Sequence, residues 1–90
     1  MKKFIILIPI FNDRESLTKL IEDINFEIKD LTSQISIIVV NDASSQQIID
    51  NYPNIENINS IEIINMKENR GHARCIASGL KYIFEKKEFD

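Results

Sequence analysis

Ile37-Ile38-Val39-Val40-Asn41-Asp42-Ala43-Ser44-Ser45 is the stretch on which the fold turns. Four β-branched aliphatic residues in a row suit an extended chain. No polar residue alternates with them, so the strand they form is covered on both faces, as in a parallel sheet. This second strand reads as Ile35 to Val40. It stops abruptly in Asn, Asp, Ala and Ser, residue types that close turns and cap helices.

Toward the amino end, Lys3 to Phe11 is a first strand of the same apolar kind. Pro9 inside it removes a ladder donor and marks a bend or a close approach. Asn12 is placed to cap a helix, with Glu15 three residues on, as in a capping box. Leu17, Leu20, Ile21, Ile24, Ile28 and Leu31 follow at helical spacing, predicting a helix from about Asp13 to Asp30 with one apolar stripe. Toward the carboxyl end, a short helix around Gln46 to Asn51 and an irregular connection from Tyr52 to Asn59 are expected. A third strand then runs from Ile61 to Met66, followed by the loop Lys67 to Gly71. A helix from about His72 to Lys87 carries Ala73, Ile76, Ala77, Leu80, Ile83 and Phe84 on one face. Gly79 lies inside that helix, where glycine is worse than alanine by up to about 1 kcal/mol. A close packing contact is the plain reason for it.

The pattern is therefore α/β: one βαβαβα unit over residues 1–90, a parallel sheet with right-handed crossovers. Ninety residues hold at most one small domain or part of one. The chain is 43% hydrophobic and 28% charged, which excludes a disordered tail or a fibrous repeat. A net charge of −3 with one histidine gives no electrostatic footprint for nucleic acid or an anionic membrane. Cys75 is the only cysteine, so an internal disulfide and a multi-cysteine metal site are both excluded. A reducing, cytoplasmic setting is expected. No apolar run approaches the roughly 18 residues of a membrane span, and no cleavage site follows the first strand.

In parallel sheets ligands bind beyond the carboxyl ends of the strands. Here those ends are Phe11-Asn12-Asp13, Asn41-Asp42-Ala43-Ser44 and Lys67-Glu68-Asn69-Arg70-Gly71, all polar. Asp42 is the sharpest candidate. A carboxylate there accepts from the ring N–H of uracil or guanine, which adenine lacks; alternatively, it closes the turn or caps a helix. Phe11 is placed to stack on a base or to sit in the core. Glu15 is placed to touch a ligand or to serve the cap. The amides of residues 69–71 and the Arg70 guanidinium are placed to meet phosphate, or the loop is an ordinary strand-to-helix turn. His72 reads as a surface residue and Cys75 as a small buried helix residue. No GxGxxG follows the first strand, and neither GxxxxGK[ST] nor GxSxG occurs, which argues against dinucleotide oxidoreductases, P-loop NTPases and α/β-hydrolases.

Taken together, these residues resemble the amino-terminal half of family 2 glycosyltransferases of the GT-A fold, with the dolichol-phosphate-mannose-synthase-like branch looking nearest. Ile5 to Glu15 resembles a P-x-[YF]-N-x-x-E start. Ile37 to Ser44 resembles a V-[DN]-D-x-S strand end, and Asn69-Arg70-Gly71 with Gly79-Leu80 an N-x-G loop opening a helix. The resemblance implies a parallel sheet of order 3-2-1 and a nucleotide-binding set of Pro9, Phe11, Asn12, Glu15, Asp42, Ser44, Asn69, Arg70 and Gly71. In it Pro9 and Phe11 line the base pocket and Asp42 bonds the base. The implied partner is a UDP- or GDP-sugar. No catalytic residue and no metal ligand falls within this chain. The family's DxD motif, which holds Mg²⁺ or Mn²⁺, is expected in a longer parent, whose later segments attach some relatives to the cytoplasmic face of a membrane. The 90 residues alone are expected to be inactive and to self-associate through the open edge of the first strand. The alternatives are a non-catalytic α/β binding or oligomerisation module and a flavodoxin-like signalling domain.

Overall fold

The computed structural model describes residues 2–43, 52 and 55–89. Five elements occur among them: β1 (Lys3–Ile10), α1 (Arg14–Glu27), β2 (Gln34–Asn41), β3 (Ser60–Asn65) and α2 (His72–Lys86). The sheet is wholly parallel, in the order β1-β2-β3, with Ile6 opposite Ile37 and Ile37 opposite Ile61. This is the expected 3-2-1 arrangement read from the other edge. The helix expected at Gln46 to Asn51 lies outside the described residues.

Alternation of side chains along each strand divides the core in two. Ile6, Ile8 and Ile10 of β1, Ile37 and Val39 of β2, and Ile61 and Ile63 of β3 pack beneath Leu17 and Ile21 of α1, with Tyr52 and Ile58. Leu7 and Val40 face α2 at Gly79, where a Cβ would stand 2.5 Å from Leu7 Cδ1 and 3.0 Å from Val40 Cγ2. That is the close contact expected of this glycine. β2, with Ile37, Ile38, Val39 and Val40 at 0–1% exposure, is the strand covered on both faces.

β1 is an edge strand among the described residues, and only Ile10 in it is fully buried. The Lys2 and Ile10 carbonyls accept from the Gln34 and Asp42 amides on the β2 side, at 2.7 and 2.8 Å. Backbone groups of alternate residues point to opposite sides of a strand, so Ile5, Leu7 and Pro9 turn theirs to the outer edge. Pro9 therefore leaves the β1–β2 ladder intact, the placement in which a sheet tolerates proline.

Three sequence expectations are corrected. The N-cap of α1 is Asp13 and makes no side-chain cap bond. Asn12, at φ 51°, sits one residue before it, so the Asn12–Glu15 spacing forms no capping box. Of the expected stripe, Leu20 of α1 and Leu31 beyond its end are exposed, while Asn25 of α1 is buried. Asn25 Oδ1 accepts from the Asn57 amide at 2.8 Å, and its carbonyl accepts from Asn57 Nδ2 at 3.0 Å. The inward face of α2 is Cys75, Gly79 and Ile83, whereas Ile76, Leu80 and Phe84 of the expected face are exposed. α2 is steered by specific contacts: Tyr82 reaches Glu62 of β3 at 3.1 Å, beside the Lys87–Glu62 ion pair, and Gly79 needs the closest approach. The apolar stripe is thereby rotated outward.

Candidate functional site

Because the sheet is parallel, the loops after β1, β2 and β3 all emerge at one end. The residues with left-handed backbone among those described are Asn12 (φ 51°), Ala43 (φ 59°) and Gly71 (φ 84°), one in each loop. Sparsely populated backbone of this kind concentrates where a site is built. Ala43 N–H donates back to the Asn41 carbonyl at 2.9 Å, making a tight turn with Asp42 at its centre, and the Met66 amide donates to the same carbonyl at 2.8 Å. Asn41 Nδ2 donates to Asn65 Oδ1 at 2.9 Å. These bonds tie the ends of β2 and β3 together.

Asp42 faces α2 and is 1% exposed. Its Oδ1 accepts from the Arg70 amide at 2.7 Å and its Oδ2 from the Gly71 amide at 2.8 Å. Cys75, one turn into α2, is buried beside the same carboxylate. Asn69 Nδ2 reaches the Asp42 carbonyl at 3.5 Å. The Asp42 carboxyl is held below the ordinary aspartate value. The Arg70 amide is the main cause, joined by the Gly71 amide, the thiol and the charge of His72 against the opposing effect of burial. The Cys75 thiol is pushed up to about 11 by burial first and by the neighbouring Asp42 carboxylate second. The chemistry is consistent: bonds donated to a carboxylate favour its charged form, and a buried thiol beside that charge keeps its proton.

The Arg70 guanidinium lies at the surface, 2.9 Å from Glu68. The amides of Arg70 and Gly71, expected to be open to phosphate, are instead turned inward to Asp42.

Pro9 and Phe11 line a cleft of about 170 Å³ at the outer side of the β1 end, with Asp13, Ser16, Leu17, Leu20 and His72. Phe11 is 43% exposed there, so it is not a core residue. Asn12, Glu15 and Asp42 do not line this cleft. Asn12 and Glu15 are exposed beside it at the start of α1, and Ser44 lies outside the described residues. His72, read as an ordinary surface residue, was missed as a cleft wall. It directly follows Gly71, and that adjacency was its only sequence signal. Asn65 was missed as well, although it is a polar residue closing a strand at the same sheet end.

Among the described residues, no group of three or more His, Cys, Asp or Glu side chains could hold a metal ion. No helix among them is long and apolar enough to cross a membrane.

A three-stranded parallel sheet with helices on both faces and polar loops at its carboxyl end is part of a Rossmann-like α/β fold. The glycosyl transferase family 2 model matches residues 5–86, and the chain belongs to that family. No curated protein and no solved structure matches it.

Proposed function

We infer that the chain holds the nucleotide of a UDP- or GDP-sugar for glycosyl transfer to an acceptor, and that these 90 residues alone do not complete the reaction. The observation that carries this reading is the convergence of the three strand-end loops beside the cleft of Pro9, Phe11 and His72, in a family 2 chain. Phe11 offers a half-exposed ring on which a base stacks, with Pro9 as the rigid wall beside it. Asn12 and Glu15 lie within reach of the ribose side. Asn69, Arg70 and Gly71 close the opposite side, with the surface guanidinium of Arg70, paired to Glu68, facing the diphosphate. Mg²⁺ or Mn²⁺, when present in a longer parent, would neutralise the leaving diphosphate; the residues here provide binding and orientation. Calorimetric titration with UDP and GDP tests the reading. Binding that weakens about tenfold or more in Phe11→Ala is expected, since stacking on an aromatic ring contributes about 1–3 kcal/mol per base. No heat with either nucleotide overturns it.

The second reading, self-association, rests on the outer edge of β1 and the outward stripe of α2. Ile5 and Leu7 present backbone donors and acceptors along that edge, flanked by exposed Leu20 on α1 and Ile76 and Leu80 on α2. Unpaired edges of this kind recruit another strand. A two-fold antiparallel pairing of two β1 strands is self-complementary. Sedimentation at tens of micromolar is expected to show a dimer that Leu80→Glu dissociates; a monomer at those concentrations refutes it.

A further inference from the structure

We propose that the groove under the last turn of α2, at the amino end of the sheet, is a second binding site that takes a small phosphate-bearing anion. The groove has a volume of about 280 Å³. Ser36 of β2 lies in its floor, Lys3 of β1 stands on one side and Asn59, just before β3, on the other. Lys86 and Lys87, at the end of α2, cover it. The cleft of Pro9 and Phe11 lies at the other end of the sheet and shares no residue with it. α2 has 15 residues and separates the two by roughly 22 Å at about 1.5 Å per residue. The proposal therefore stands independently of the nucleotide reading.

Three features set the chemistry of the groove. The first is a directed chain of hydrogen bonds. Gln34 Nε2 donates to Asn59 Oδ1 at 2.8 Å, and Asn59 Nδ2 donates to Ser36 Oγ at 3.3 Å. The Ser36 hydroxyl thus accepts within the protein and keeps its own O–H for an acceptor in the groove. Ile38 and Val40 follow Ser36 on the same face of β2 and are buried, so the hydroxyl interrupts an otherwise apolar surface. The second feature is charge. Lys3, Lys86 and Lys87 against Glu88 give 3 − 1 = +2 along the groove, in a chain of net charge −3. Glu62 engages Lys87, whereas Lys86 has no ion pair among the described residues. The third is a carboxylate already held at the mouth: Glu88 lies 3.3 Å from Lys3 Nζ, with its side chain 90% exposed. An exposed pair of this kind contributes little, so an incoming oxyanion readily takes the place of Glu88 on Lys3. Lysine ammonium groups suit phosphate as point charges, and the Ser36 O–H supplies a directed donor from below.

The test uses the whole chain labelled with ¹⁵N. It is titrated with inorganic phosphate and, separately, with glycerol 3-phosphate, at constant ionic strength so that screening of surface charge does not mimic binding. Saturable shifts are expected at the amides of Ser36, Asn59, Lys86 and Lys87. Ser36→Ala and Lys86→Gln should each weaken the anion about tenfold, as loss of a bond to a charged group implies. Glu88→Gln should tighten it, because the internal competitor is gone, and Phe11→Ala should leave it unchanged. Equal affinity for the two probes assigns the site to the phosphate group alone; tighter binding of the ester adds a contact with the wall of Phe4 and Ile5. Either result supports the site. Shifts that do not saturate, an affinity indifferent to both Ser36→Ala and Lys86→Gln, or weaker binding in Glu88→Gln overturns it. If Ser36→Ala does not fold, Lys86→Gln and Glu88→Gln decide, since both change exposed side chains.

Discussion

Substitution of Gly79 by alanine sets two opposed effects against each other inside α2. Alanine favours a helix interior over glycine by about 0.8–1.0 kcal/mol. The added Cβ would stand 2.5 and 3.1 Å from the two Leu7 methyls and 3.0 Å from Val40 Cγ2. Overpacking of this kind typically destabilises by about 1–3 kcal/mol. The Leu7 methyls end a flexible, half-buried side chain, whereas β-branched Val40 has little freedom to turn away. The net expectation is a loss of about 1 kcal/mol, or about 4–8 °C in Tm for a domain of this size. Leu7→Ala removes two of the three contacts. In that background, Gly79→Ala is expected to change sign and stabilise by up to about 1 kcal/mol, the helix-propensity gain alone. Urea unfolding of the four proteins, followed by circular dichroism, measures the cycle, with a coupling of about 1–2 kcal/mol between positions 7 and 79. If Gly79→Ala has the same effect in both backgrounds, α2 is not seated on β1 through this contact and the packing argument fails.

Cys75, buried and with its pKa pushed up to about 11, is expected to resist an aromatic disulfide reagent at pH 8 until urea unfolds the chain; rapid labelling of the native protein would contradict the buried thiol. Asp42 has a folded pKa below its unfolded value. Its contribution is therefore fully present above the unfolded value and is lost as pH falls below about 4. Thermal melts should show a shallower acid decline in Asp42→Asn than in the unmodified chain, and equal slopes would refute this. Asn25→Ala leaves the Asn57 amide without its acceptor and should destabilise by about 1–3 kcal/mol; a change under a few tenths in urea midpoint free energy would mean that α1 is not anchored there.

Much of the architecture was legible in composition and period. Ile37 to Val40 could only be a strand covered on both sides, because four adjacent β-branched residues leave no polar face. Parallel pairing then places Phe11, Asn41 and the 69–71 loop at one end of the sheet. The orientation of α2 was not legible. The expected face, Ala73, Ile76, Ala77, Leu80, Ile83 and Phe84, follows from hydrophobic spacing alone, and only Ile83 of it is buried. The helix is instead seated by Gly79 against Leu7 of β1, by Cys75 beside Asp42 just past β2, and by Tyr82 bonded to Glu62 of β3.

The same division holds at the site. The sequence by itself determined that a carboxylate would stand just past the central strand, since local turn chemistry and strand length settle that within a few residues. What the carboxylate binds was decided only by the tertiary structure. Its amide donors lie 28 and 29 residues away, and nothing local to Asp42 encodes them. They meet it because β3 returns parallel beside β2 and Gly71 turns through positive φ, so the charge is satisfied by backbone from a distant loop.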